Sequence, residues 1–433
     1  MHKLPLTLLI RRYFHLFKEG GWIASGQISS VLGSLVLVRV LTERLAPTEY
    51  GQLALGLTIA GLVNATVMGG VNNGIGRYYS IAAEKQDLPN YLRASSRLMV
   101  YATLAVVAIG SMLMIGLLWF GYSQWIGLVV AVLIFSLLNS YNSSLSNIQN
   151  AARQRVVVAF HGGLNAWLKI GLVLGMLLWV GRSSTSVVIG YALSSLLVTG
   201  SQFCFLHRLI PKRMTNSESS AAWIQQIWTY SWPFMTWGIF GWAQQSSTRW
   251  ALEIFSTTSD VGLFSVLSQL GYTPIQTITN FAVAFLSPIL FVRAGDASSS
   301  TRRKNIRTLT GRLASAGLVT IGCAFLAAHL LHSYLFNLFV SEDYLSVSVY
   351  LPWMVLSGGI FAIAQIYAVK LQALLLTKKL IIIGIGISIV GIISSFVGTY
   401  VAGLLGAILG GLFFSITYLV AITRFVTDPL EDV

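Results

Sequence analysis

Charged residues are scarce in this sequence. They fill 10% of the positions, and only 14 are Asp or Glu against 28 Lys and Arg. A soluble globular chain carries about 25%, so a soluble domain of any size is excluded. Within or at the edge of the apolar segments the only acids are Glu253 and Asp260. Cysteine is nearly absent too. Cys204 and Cys323 both sit in apolar runs, are expected to pack as small hydrophobes, and offer no metal-ligand spacing. The six histidines are scattered, and neither a metal nor another cofactor is expected. No G-x-x-x-x-G-K-S/T loop occurs, so no ATP engine of that kind lies in the chain. H-E-x-x-H and G-x-S-x-G are also missing. The outer separators are too short for a catalytic domain, and the expectation is a protein that is not an enzyme.

Apolar residues are abundant. They make up 55% of the 433 positions, and the mean hydropathy is +0.73. Runs long enough to cross ~30 Å of hydrocarbon recur from end to end. Twelve spans are expected, near 21–42, 51–77, 98–120, 125–150, 157–180, 185–207, 229–254, 261–291, 312–333, 345–370, 380–401 and 403–424. The predicted class is an all-α integral membrane protein.

Basic residues fix its orientation through their preference for cytoplasmic loops. With the N-terminus inside, twenty-three of the 28 face the cytoplasm, in seven clusters from Lys3–Lys18 to Arg424. Only Arg39, Arg44, Arg182 and Arg249 fall toward the outside, and Lys169 falls mid-span. One span more or fewer would scramble this separation. Both termini are therefore expected in the cytoplasm. The net charge of +14 is explained by basic loops beside anionic inner-leaflet lipid, and no nucleic-acid partner is implied. Residues 1–20 contain no cleavable signal. They read either as a solvated leader or as a helix lying on the membrane surface.

The chain reads as two parallel repeats, a plan common in transporters. A turn at Pro47-Thr48-Glu49-Tyr50-Gly51-Gln52-Leu53 recurs at Ser259-Asp260-Val261-Gly262-Leu263-Phe264, and a basic segment follows each copy. The expected layout is a six-helix bundle over 21–207, a cytoplasmic linker over 208–228, a second bundle over 229–424 and a tail over 425–433, with a central cavity. Pro233, Pro274, Pro288 and Pro352 fall within second-half spans and are expected to kink them. Gly70/Gly74 and Gly406/Gly410 have the spacing of close helix contacts.

Polar groups inside a membrane are costly and tend to face a cavity. Lys169 lies about twelve residues into its span, ~18 Å deep at 1.5 Å per residue. It reads as a cavity-facing functional cation or as half of a structural ion pair. Arg39, Arg77, Arg249 and Lys370 either snorkel or line a route for an anionic substrate, above all one with phosphates. Amides and hydroxyls accompany them, including Asn139 and Asn142 in the fourth span, Gln245 in the seventh and Gln276 in the eighth. Such groups either bond sugars or hold helices together. Glu253 is the candidate ion-coupling group.

Leu45-Ala46-Pro47-Thr48-Glu49-Tyr50-Gly51 resembles the first outer turn of polysaccharide flippases. Gly69 through Arg77-Tyr78-Tyr79 resembles their second span. Pro233, Arg249 and Val261-Gly262-Leu263-Phe264-Ser265 resemble their second half. The likeness runs over nearly the whole chain. It implies the O-antigen and exopolysaccharide branch of the multidrug/oligosaccharidyl-lipid/polysaccharide exporter superfamily, with twelve helices in two bundles. It further implies transfer of an undecaprenyl-diphosphate-linked oligosaccharide from the inner to the outer leaflet without ATP. The partners expected are that lipid-linked substrate, membrane lipid, a polysaccharide polymerase and a chain-length regulator. On this reading Lys169, Arg39, Arg77 and Arg249 hold the diphosphate–sugar head. Rival readings are a multidrug antiporter of the same superfamily, a lipid II flippase, whose relatives have fourteen helices, and a membrane polymerase or ligase, which would need a large outer loop.

Overall fold

The computed structural model describes residues 6–207, 220–294, 300–374 and 376–427. Lys3, Arg208, Lys212, Arg213, most of the expected linker and residues 428–433 lie outside them. Among the described residues every regular element is helical, as hydrocarbon demands, because a helix satisfies its own backbone polar groups. The helices are α1 Leu6–Arg44, α2 Pro47–Ala65, α3 Val67–Glu84, α4 Leu88–Trp119, α5 Ile126–Ala151, α6 Arg155–Trp179 and α7 Ser184–His207. They continue with α8 Ser220–Phe255, α9 Thr258–Gly271, α10 Thr273–Ala294, α11 Ser300–Phe339, α12 Leu351–Ala373 and α13 Thr377–Thr427. Short 3-10 turns precede α5 and α12.

Eight of these are long and apolar enough to cross a membrane, or up to nine if α2 and α3, bent by 41°, form one span. Each expected span nonetheless falls on helix, and the breaks account for most of the difference in count. The second expected span is α2 plus α3, divided at Thr66. Its counterpart is α9 plus α10, divided at Tyr272. The last two expected spans are the arms of α13, separated by non-helical Ala402 and by Gly403 at φ 53°, a conformation glycine adopts without steric penalty. The arms fold back on each other: Ser394 Oγ donates to the Gly410 carbonyl at 3.1 Å, and Gly398 faces Gly406 with no room for a Cβ on either. The prolines expected to kink spans take two kinds of position. Pro233 is inside α8, but Pro352 is in the first turn of α12 and Pro274 is the second residue of α10. Proline at those positions starts a helix instead of kinking it.

The chain divides into two compact units, one of Met1–Val40 with Gly56–Ile239, the other of Leu41–Leu55 with Phe240–Val433. In the first unit, α5 is the spine. It packs on α3 through Asn72 Nδ2, which donates to the Ser140 carbonyl at 3.3 Å, and on the end of α2 through Ser140 Oγ, which donates to Asn64 Oδ1 at 2.6 Å. It packs on α7 through Gln202 Nε2, which donates to Ser146 Oγ at 2.9 Å. Asn64 and Asn72 thus join helices. Gly70 and Gly74 lie against Met235, Ser231 and Ile227 of α8, so their spacing does mark a close crossing. At one end Asp87 is fully buried and bridges α4 and α8. Its Oδ2 accepts from Trp223 Nε1 at 2.8 Å and its Oδ1 from Asn90 Nδ2 at 2.8 Å. Tyr91 and Tyr78 stack edge-on against the same indole. Replacing Asp87 by Ala orphans the buried indole N–H, and should cost about 1.5–3 kcal/mol. A lower melting temperature of the purified protein is the expected readout.

In the second unit the repeat becomes geometry. α1 ends at Arg44 and α8 at Phe255; α2 begins at Pro47 and α9 at Thr258. Both pairs are offset by the same interval, and each second helix has an acid in its first turn, Glu49 or Asp260, where the helix dipole favours it. The two first turns cross face to face. A Cβ on Gly51 would run into the Thr258 carbonyl, and a Cβ on Gly262 into the Pro47 carbonyl. The contact is reciprocal under the repeat. It is held by Tyr344, whose hydroxyl donates to the Leu45 carbonyl at 2.9 Å and whose ring packs edge-on against Tyr50, and by the Ser341 amide, which donates to Thr42 Oγ1 at 3.2 Å.

Candidate functional site

In the first unit, Lys169 of α6 lies over two rings. Its Nζ is 5.6 Å from the centroid of Phe135 on α5 and 5.3 Å from that of Tyr191 on α7, and both rings are buried. The ring quadrupoles attract the ammonium without neutralising it. No carboxylate pairs with it among the described residues, and the sequence has no Asp or Glu between Asp87 and Glu218. The ion-pair alternative therefore fails within this unit. One turn before it on α6, Asn165 Oδ1 accepts from Ser194 Oγ at 2.9 Å.

Phe135 continues into the amide stripe of α5. Phe135, Asn139 and Asn142 follow helical spacing on one face. Asn142 Nδ2 is buried and lacks a partner. Asn139 is half-buried and contributes its backbone carbonyl to Ser143. Asn139 and Asn142 thus follow Phe135, one of the two rings under Lys169, along one face of α5. Arg39 is half-buried and engaged by other groups of the protein. Arg77 is exposed, and neither arginine contacts Lys169.

In the second unit, Arg249 of α8 donates from Nε to Ser265 Oγ of α9 at 3.2 Å and lies within electrostatic reach of Tyr50. It is therefore tied to the Gly51/Gly262 crossing. One turn further along α8, Glu253 Oε1 accepts from Thr258 Oγ1 at 3.0 Å, while its Oε2 is buried without a partner. Gln276 Nε2, in the first turn of α10, is likewise buried and unpaired. Gln245 is exposed. Sequence reasoning missed Phe135 and Tyr191. Both are ordinary aromatics in apolar runs, and only the rotation of α5 and α7 about their axes brings them to Lys169.

Broken helices and internal repeats are common in the folds of secondary transporters, and solved transporters share this fold. The fold is shared with the lipid II flippase MurJ in an inward closed conformation (TM-score 0.71, 11% identity, 95% of this chain and 87% of that one). It is shared with an inward-facing multidrug resistance MATE family transporter of the MOP superfamily (TM-score 0.64, 14% identity, 92% and 94%). A third is a MOP superfamily transporter from Pyrococcus furiosus, described as having a binding pocket of reverse polarity (TM-score 0.58, 13% identity, 94% and 96%). No curated protein matches the sequence. Residues 16–293 match the polysaccharide biosynthesis protein family, and the chain belongs to that family: it is a multi-pass membrane protein with a MOP-superfamily transporter fold.

Proposed function

We propose that this protein is a flippase for an undecaprenyl-diphosphate-linked oligosaccharide, an O-antigen or exopolysaccharide repeat unit, which it moves from the inner to the outer leaflet by alternating access. The observation that carries the reading is Lys169, a cation inside a span with two aromatic rings beneath it and no carboxylate partner among the described residues. A diphosphate supplies the missing anion. In the first unit Asn139 and Asn142 suit sugar hydroxyls, and Arg39 and Arg77 are further cations for the head group; in the second unit Gln245, the unpaired donor of Gln276 and Arg249 are the groups proposed to contact substrate. Glu253, with one oxygen unpaired, is the group proposed to carry the coupling ion.

The proposed topology has twelve crossings in two six-helix bundles, with both termini in the cytoplasm of a bacterial inner membrane. A polysaccharide polymerase and a chain-length regulator are the proposed partners. A lone cation disfavours the cationic drugs of a multidrug antiporter by direct repulsion. Purified protein in vesicles separates the readings. An oligosaccharide diphosphate lipid placed in one leaflet should become accessible to an added glycosidase on the other side, while a cationic dye stays put. Transport of the dye alone would make the protein an antiporter, and transport of lipid II alone would make it a lipid II flippase.

A further inference from the structure

The inner side of the second unit holds cations that the function above does not use. α10, α11, α12 and α13 contain no Asp or Glu, yet they carry Lys and Arg at ten positions. Two of these meet. Lys370, in the last turn of α12, is 5% exposed and interacts electrostatically with Arg307 of α11. The level is set by packing: Ile306, Leu290, Val369 and Ala373 form one buried cluster there, and Arg307 and Lys370 directly follow Ile306 and Val369 in sequence. Thr310, one turn beyond Arg307, is 0% exposed, and its hydroxyl has no partner. That is unusual for this helix, because Thr308 and Thr320 both bond back to carbonyls four residues earlier.

Neither Lys370 nor Arg307 has a hydrogen bond or ion pair among the described residues. A buried ammonium beside a like charge is doubly unfavourable, through lost hydration and through repulsion. An anion with several acceptor oxygens would offset both terms and take the Thr310 proton as well. In a membrane such an anion is the phosphate of a lipid, and basic recesses between helices at the cytoplasmic side bind such headgroups.

We propose that Lys370, Arg307 and Thr310 form a phosphate-binding site at the inner ends of α11 and α12, occupied by the headgroup of a lipid from the inner leaflet. The placement at the inner leaflet rests on the orientation proposed above; the site itself does not depend on Lys169. Two lipids share this chemistry, the polyprenyl diphosphate carrier and a resident anionic phospholipid.

The test is run on the full chain carrying Lys169→Ala, so that binding at Lys169 does not contribute. Geranylgeranyl diphosphate, geranylgeraniol and phosphatidylglycerol are each titrated while the melting temperature is followed. The diphosphate should raise it and the uncharged alcohol should not. Adding Lys370→Met or Arg307→Gln should weaken the apparent affinity about tenfold or more, the loss of one charge-assisted contact. Arg307 is exposed, so its variant keeps the fold even if the Lys370 variant does not. If phosphatidylglycerol gives the same shift and competes, the site belongs to resident lipid; if it does not, the site belongs to the carrier. Equal diphosphate affinity with and without Arg307→Gln and Lys370→Met would overturn the site. Absence of oligosaccharide-lipid transport by the unsubstituted protein in the vesicle assay, with this response intact, would overturn the flippase reading alone.

Discussion

Replacing Lys169 by Ala should lower glycan translocation by about 10- to 150-fold while the protein still folds and inserts. Both halves of that statement come from its surroundings. Among the described residues the ammonium's partners are the rings of Phe135 and Tyr191, worth about 0.5–2 kcal/mol. Removing it takes a charge out of hydrocarbon and orphans no carboxylate, so expression and melting temperature should change little. A charge-assisted contact to a phosphate is worth about 1.5–3 kcal/mol, which converts to the range given. Lys169→Arg keeps the charge and should retain partial activity, because the planar guanidinium still stacks on the rings. The measurement is export in cells, or the vesicle assay, normalised to protein in the membrane. Wild-type rates for Lys169→Ala would remove the basis for a diphosphate contact at this position.

The second large effect is at the crossing of α2 and α9. Gly51→Ala and Gly262→Ala each place a methyl group against a backbone carbonyl of the opposing helix. A side-chain neighbour could rotate away, but a helix backbone moves only with its whole turn. Overpacking of this kind costs about 1–3 kcal/mol. The two changes open the same gap, so the double variant should cost clearly less than the sum of the singles. A thermal-unfolding double-mutant cycle reads this directly. Strict additivity would mean that the two glycines do not share one contact. Because Arg249 reaches Ser265 and Tyr50 beside this crossing, the same substitutions should also alter transport more than their stability cost alone predicts.

Much of the fold was legible in the sequence because the relevant signals are local. Hydropathy marks a helix that must lie in lipid, and the turn pattern Pro47/Gly51 and Thr258/Gly262 survives in both halves because both turns meet the same steric demand. The breaks at Thr66 and Tyr272 were less legible than the one at Gly403, which falls between the last two expected spans. At the first two, the apolar run continues through the break, and hydropathy does not register a change in backbone direction. Pro274 and Pro352 misled for a related reason, since a proline in a continuous apolar run looks the same whether it kinks a helix or begins one.

The candidate site was legible only as a set of residue types. Sequence alone determined that Lys169 lies deep in a span, that no acid neighbours it along the chain, and that the family is one of polysaccharide biosynthesis. Tertiary structure decided which side chains it touches, that Asn64 and Asn72 are consumed in helix packing while Asn142 keeps a free donor, and that Arg249 is tied to the α2–α9 crossing. It also brought Lys370 to Arg307. The physical reason is common to all of these. Hydrophobic periodicity tells the rotation of a helix only when one face is apolar and the other polar, and helices apolar all round carry no such mark until their neighbours fix them.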